Sequence, residues 1–302
     1  MQRANDTTLA VHIGYYKTGT TFLQNVIFPS MDLSYHNIDT STKILKDVIF
    51  TDDLDYHKDR VISALENVVK PNAVNLFSFE SLVGPMFMYP GINRSNIANR
   101  LYELGFRKVI ITLRSQYNLI DSFYRQYIQV GGVLKFKKYL ESDFFNDQFF
   151  LFAGFVKHYQ NIFGKENIKI VLQEDLKSQK EKEVTELCSF LGSSIISEEK
   201  GFSNVSMSNG SISLLRIVNH FTANYFRPSN LISNHITTFK VRYLLQRILD
   251  PYIIKVFSNH KSYIKKYKLE DYVFEKYADN NTELNNDLNL GMEKYNYPLR
   301  KI

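Results

Sequence analysis

Hydrophobic positions along the first two thirds of this chain follow two alternating periods. Short apolar runs rich in β-branched residues recur at 9–13, 33–38, 73–80, 108–114 and 169–172. Between them lie longer stretches whose apolar residues return every three to four positions, as on a helix face. Those stretches cover 20–28 before Pro29, 40–69 with a break at Asp52-Asp53, and 93–104 up to Gly105. Others cover 117–129 before Gly131-Gly132, 133–163, and 178–191 up to Gly192. Strand alternating with helix predicts a parallel sheet with helices packed on it. Past residue 200 the strand signal stops: 212–221 reads as an apolar helix with Ser208 or Ser211 as its N-cap, and 222–278 as further helices. The tail, 278–302, is rich in Asn. No repeat of solenoid or propeller period is present.

At 302 residues the chain is long enough for a substantial core, and we expect one domain over 1–302, with an α/β core at 1–215 and a mainly helical part at 216–302. A hydrophobic content of 44% with 23% charged residues excludes a disordered or fibrous protein. The lone Cys188 excludes an internal disulfide, and its apolar setting predicts a buried, inert thiol. The polar start and the lack of any run near 18 apolar residues predict a protein without signal peptide or membrane span. The net charge of +6 is concentrated late: between Arg216 and Lys276, eleven Lys and Arg face four Asp and Glu, with Tyr and Phe interleaved. Three readings are open for that region: a solvated helix face, contact with an anionic membrane or acidic glycan, or nucleic-acid binding. No nucleic-acid-binding motif supports the third.

Two segments carry candidate chemistry. In the first, the run ending at Ile13 leads into Gly14-Tyr15-Tyr16-Lys17-Thr18-Gly19-Thr20-Thr21, and a helix pattern opens at Thr20. Strand, Gly-containing loop and helix N-terminus together hold phosphate, because backbone N–H groups and the helix dipole both favour an anion. Thr18, Thr20 and Thr21 add hydroxyls and Lys17 a cation. The spacing departs from G-x-x-x-x-G-K-[ST], since Thr20 stands where the lysine belongs and Lys17 precedes Gly19. In the second segment, the run 108–114 ends in Arg114, and Ser122 follows eight residues on, in the next helix. An Arg at a strand's C-terminal end and a Ser on the following helix suit a phosphate in the crevice outside a parallel sheet.

These two segments, in this order, resemble the two cofactor motifs of PAPS-dependent sulfotransferases, where PAPS is 3′-phosphoadenosine-5′-phosphosulfate. Lys17-Thr18-Gly19-Thr20-Thr21 is similar to that family's K-x-G-T-[ST] loop, and Arg114 with Ser122, followed by Tyr124, to its 3′-phosphate motif, though Ser115-Gln116 stands where Asn-Pro is frequent. Phe190-Leu191-Gly192 resembles the end of a family helix. The resemblance covers about 1–215. It implies a P-loop-NTPase-like parallel sheet flanked by helices, PAPS as co-substrate with PAP as product, and no metal. It further implies that Lys17 stabilises the leaving oxygen while Thr18, Gly19, Thr20, Thr21, Arg114 and Ser122 hold the nucleotide. The polar segment before residue 208 resembles a cofactor-proximal N-x-S segment, so Asn204 and Ser206 are read either as cofactor contacts or as loop and cap.

An acceptor hydroxyl needs a base within hydrogen-bond reach. Glu80, at the end of a predicted central strand, is the candidate, with capping of the next turn as its alternative role. Ser78 and Ser81 are lesser candidates for cofactor or acceptor contact. His12, inside the first strand, reads as a packed residue. Glycan sulfotransferases place a Glu where small-phenol enzymes place a His, so Glu80 implies a carbohydrate or glycolipid acceptor. The resemblance points to a bacterial, carbohydrate-type enzyme, cytoplasmic or peripheral at the inner membrane face, with no nucleic-acid partner. The alternatives are a nucleotide-binding kinase or NTPase, weakened by the displaced lysine, and a non-catalytic PAP-binding scaffold.

Overall fold

The computed structural model describes residues 7–197, 207–222, 225–226, 243, 250 and 262–301. Five parallel strands form one sheet in the order β2-β3-β1-β4-β5. They are β1 (Thr8–Gly14), β2 (Ser34–His36), β3 (Val74–Ser78), β4 (Phe106–Leu113) and β5 (Ile168–Leu172). Each falls on one of the apolar runs. Parallel strands are covered on both faces, so their sequences are continuously apolar, as in Val109-Ile110-Ile111. His12 pairs with Ser78 on one side of β1, and Gly14 with Thr112 on the other. The chain leaves β1 toward β2 and leaves β4 toward β5, in opposite directions across the sheet. A crevice therefore opens beyond the C-terminal ends of β1 and β4, where such sheets bind ligands.

The helices are α1 (Thr20–Phe22), α2 (Ile38–Phe50), α3 (Lys58–Glu66), α4 (Arg94–Glu103), α5 (Gln116–Gln129), α6 (Phe136–Leu140), α7 (Phe152–Phe163), α8 (Gln173–Ser178), α9 (Lys180–Leu191) and α10 (Asn209–Val218). Two more follow, α11 (Tyr263–Lys266) and α12 (Glu270–Leu288). On one sheet face Ala10, Leu76, Ile110 and Val171 pack with Leu23, Ile27 and Phe28 after the first loop and with Leu187 and Leu191 of α9. Helices α4 and α7 also pack against β4. No helix among the described residues is long and apolar enough to cross a membrane.

Several expectations change. The helix read over 20–28 is one α-turn followed by a π-turn, Leu23–Ile27, and then a 3₁₀ turn, Phe28–Ser30, which takes in Pro29. Directly after the apolar run 169–172, the segment Gln173-Glu174-Asp175-Leu176 opens helix α8, whose two acids sit in its first turn where the dipole favours them. The stretch 133–163 is not one helix but α6, a 3₁₀ turn and α7. The Asn-rich tail stays helical to Leu288. Cys188 is half-buried rather than buried, and desolvation raises its pKa. Most of 222–261 lies outside the described residues.

Contacts divide the chain into two compact units. The first comprises Met1–Ser115, Asn146–Phe202 and Tyr277–Ile302, and the second Gln116–Phe145 and Ser203–Lys276. In the second, a buried ion pair orders the core: Arg125 Nε donates to Asp121 at 2.7 Å, and Asp121 also accepts the Tyr263 amide at 2.6 Å. Arg125 donates onward to Met207 O at 2.9 Å and Asn209 Oδ1 at 2.5 Å. Both charges are buried and multiply hydrogen-bonded, the condition under which such a pair is tolerated.

Candidate active site

The first loop is built by close packing. Gly14 is required at the end of β1, because a Cβ there would lie 2.0 Å from Thr20 Cγ2 and 2.8 Å from Thr112 Oγ1. The Tyr15 amide donates to Thr112 O at 3.2 Å. Thr18 is fully buried; its hydroxyl donates to Tyr15 O at 2.5 Å and lies 2.6 Å from Thr112 Oγ1. That hydroxyl braces the loop from within. Lys17 and Gly19 both adopt left-handed backbone, at φ 67° and 88°, and the Lys17 side chain is exposed at the loop rim. The Gly19 carbonyl accepts the Phe22 amide at 3.0 Å and so starts α1. Thr20 is buried and Thr21 half-buried in that first turn.

Arg114, directly after β4, donates from Nη1 to Lys17 O at 2.9 Å. The sheet thus brings the second motif onto the first across a sequence separation of 97. The next residue is held by α8 and the C-terminal segment. The Ser115 amide donates to Glu174 Oε1 at 3.1 Å, and its hydroxyl donates to Asn296 O. Tyr297 donates to Glu174 Oε2 at 3.0 Å, and Tyr295 to Asp175 Oδ1 at 2.5 Å. Glu174 and Asp175 therefore anchor the C-terminal segment and the turn after β4. Gln173 lies against the loop: a Cβ on Gly19 would stand 3.3 Å from its Cγ. The pKa of Lys177, also on α8, is lowered by desolvation and then by the Arg114 charge.

Glu80 opens a 3₁₀ turn, Glu80–Val83, two residues past Ser78, where β3 ends. Its Oε1 accepts the Thr20 hydroxyl. Desolvation raises its pKa, while the Thr20 hydrogen bond and the Lys17 charge pull it down. The carboxyl thus stands beside the loop, half-buried. Tyr16 ties the loop to the chain beyond Glu80 by donating to Gly84 O at 3.1 Å. Ser78 is different: it is fully buried, with His12 Nδ1 at 2.7 Å and Gln24 Nε2 donating at 2.9 Å. His12 is itself fully buried, and desolvation lowers its pKa to about 3, so it is a neutral packed residue.

In the first unit, then, Lys17, Thr18, Gly19, Thr20, Thr21, Glu80 and Arg114 converge at the ends of β1, β3 and β4. Ser122 is half-buried on α5, in the second unit. Tyr124, on the same helix, is buried and donates to Leu134 O at 3.0 Å. Ser208 caps α10, accepting the Ser211 amide at 3.3 Å, and Asp250 accepts from the hydroxyls of both serines. Asn204 and Ser206 lie outside the described residues. Among the described residues no cluster of three His, Cys, Asp or Glu has the arrangement of a metal site. Thr112, Gln173, Glu174 and Tyr297 were not legible as site residues, because each acts through a partner far away in sequence.

The profile of the sulfotransferase domain family matches residues 10–240. No curated protein matches the sequence. Among solved structures, a sulfotransferase from Alicyclobacillus acidocaldarius is 18% identical, with 68% of this chain and 87% of that chain covered and a TM-score of 0.49. The sulfotransferase domain of the Synechococcus PCC 7002 olefin synthase is 15% identical, over 64% of this chain and 75% of that one, with a TM-score of 0.40. Mouse sulfotransferase SULT7A1, complexed with PAP, is 12% identical over 96% of this chain and 89% of that one, with a TM-score of 0.41.

Proposed function

Because this chain belongs to the sulfotransferase family, we propose that it moves a sulfuryl group from PAPS to a hydroxyl of a carbohydrate or glycolipid acceptor. The observation that carries this reading is the meeting of Lys17, Thr20, Glu80 and Arg114 around one loop, with Arg114 bonded to Lys17 O and Thr20 to Glu80. The residues fit an anionic nucleotide. A left-handed glycine, a rim lysine and an arginine surround a loop into which no Cβ intrudes at Gly19. Lys17, Gly19, Thr20 and Thr21 would hold the 5′-phosphosulfate, and Arg114 and Ser122 the 3′-phosphate, with Asn204 and Ser206 as further contacts. PAPS supplies the sulfuryl group, and the charge that develops on transfer falls on its bridging oxygen. Lys17 would supply a cation to that oxygen as its bond to sulfur breaks and PAP leaves. Glu80 takes the acceptor's hydroxyl proton as the oxygen bonds to sulfur. A carboxylate in this role, rather than an imidazole, supports a sugar-type acceptor. We read 1–302 as a single catalytic domain.

Calorimetry tests the donor site. PAP is expected to bind without magnesium and to bind much more tightly than AMP or ADP. Arg114→Ala should weaken PAP by roughly 1.5–3 kcal/mol, the usual loss for a hydrogen bond to a charged group. An equal loss for a nucleotide lacking the 3′-phosphate would place Arg114 elsewhere. The acceptor is then sought by transfer of labelled sulfate to a panel of saccharides and glycolipids; labelling only of simple phenols would defeat the carbohydrate reading.

A second contact is supported in the second unit. Lys137 of α6 and Lys266 of α11 both stand over the Tyr267 ring, at 5.7 and 5.8 Å from its centroid. Two lysine-rich segments distant in sequence thus form one basic surface, with Lys135, Lys138, Lys265 and Lys268 exposed beside them. Such a surface suits the anionic inner face of a membrane, where each basic residue contributes about 1 kcal/mol. Replacing Lys265, Lys266 and Lys268 by Gln should cut binding to phosphatidylserine vesicles by more than tenfold at low salt; unchanged binding removes this contact.

A further inference from the structure

Thr20 takes part in two functions at once. It is the first residue of α1 in the anion-binding loop, and its hydroxyl donates to Glu80. Its position is tightly determined, because its methyl packs where a Cβ on Gly14 would lie, 2.0 Å away. The methyl fixes the oxygen beside Glu80, but the O–H bond still rotates about Cβ–Oγ. A threonine hydroxyl has a single proton to donate and two lone pairs with which to accept. It can donate to Glu80 or to an anion in the loop, but not to both.

We propose that Thr20 is a positioning residue that couples donor binding to the protonation state of Glu80. The inference rests on the reading of Glu80 as base. With the loop empty, Thr20 donates to Glu80 Oε1. With a phosphate or sulfate oxygen in the loop, Thr20 turns its proton to that anion, and the Glu80 carboxylate, left without that donor, binds a proton at a higher pH than in the free enzyme. The same anion offsets the field of Lys17. Two influences that hold the Glu80 carboxyl ionised are thereby removed together, while desolvation, which favours its neutral form, remains. Among the described residues Lys17 is the charge that acts on Glu80; His12, on the adjacent strand β1, is buried and neutral, and Arg94 of α4, which packs against the Glu80–Val83 turn, donates instead to Tyr15, Phe149 and Gln148. Where it is ionised, above that raised pKa, Glu80 is then a stronger base in the donor complex than in the free enzyme. This suits a reaction in which the acceptor proton should leave only once the sulfuryl group is in place.

The test is calorimetry of PAP binding between pH 5 and 8 in buffers of different ionisation enthalpy, which counts protons exchanged. PAP phosphates titrate in the same range, so Glu80's share is the difference between wild type and Glu80→Gln. We expect wild type to take up as much as one proton more than E80Q. Its PAP affinity should also fall, relative to E80Q, by up to about tenfold per pH unit across the Glu80 titration. Thr20→Val should reduce that difference and Thr20→Ser restore it. Equal proton counts for wild type and E80Q overturn the coupling, even when E80Q has lost turnover and the base reading stands. A wild-type count in T20V assigns the effect to Lys17 alone and overturns the role of Thr20. If E80Q keeps full turnover, the base reading fails whatever the proton count.

Discussion

Lys17→Ala is expected to lower kcat by about 10²–10³-fold, the usual loss when one preorganised charge-stabilising group is removed from a transition state. PAP affinity should change much less. Lys17 occupies left-handed backbone at φ 67°, a conformation uncommon for residues other than glycine, and its carbonyl is held by Arg114 at 2.9 Å. The backbone is thus pinned from the opposite motif, and the ammonium is presented at the loop rim at no further ordering cost to the main chain. A group so presented acts where charge appears rather than where the nucleotide already carries it. Steady-state kinetics with the acceptor found by the sulfate-transfer panel separates the alternatives. A fall in kcat with little change in the KM for PAPS supports leaving-group stabilisation. A raised KM with unchanged kcat would mean that Lys17 contributes only uniform binding.

Glu80→Gln is expected to lower kcat by about 10²–10⁴-fold, the range for loss of a general base. The amide keeps the size of the side chain and can still accept from Thr20, so PAP should still bind. The pH profile provides a second readout. Desolvation is the largest influence on Glu80 and raises its pKa above the usual carboxylate value. A base works ionised, so wild-type kcat/KM for the acceptor should be full above that raised pKa and fall as pH drops through it. In E80Q that acid limb should disappear. An acid limb that persists in E80Q would belong to another group. Retention of activity would leave Glu80 with a structural role through its bond to Thr20.

Much of the site was legible because it is local. A strand, a left-handed glycine and a helix start at adjacent positions shape a loop whatever surrounds them, and Gly14 through Thr21 span eight consecutive residues. The same holds for β4 running into Arg114, and for helix ends marked by Gly105 and Gly192, both at positive φ. The misreadings lie where local pattern is ambiguous. The apolar stretch through Leu172 gives no sign of where strand becomes helix, and the Asp/Glu pair that starts α8 reads equally well as a polar strand end. The π-turn at Leu23–Ile27 has no periodicity of its own.

By itself, then, the sequence determined the Gly14–Thr21 loop between β1 and α1, the arginine that follows β4 and the alternation of strands with helices. Each depends on residues within about ten positions of one another, and backbone stereochemistry suffices to place them. Only the tertiary structure decided which of those pieces meet. The order β2-β3-β1-β4-β5 sets β3 and β4 on either side of β1. It thereby brings Glu80 to Thr20 across 60 positions, Arg114 to Lys17 across 97, and Tyr297 to Glu174 across 123. The reason is physical: strand order follows from how apolar faces are buried between sheet and helices, a property of the whole core, and no short stretch of sequence encodes it.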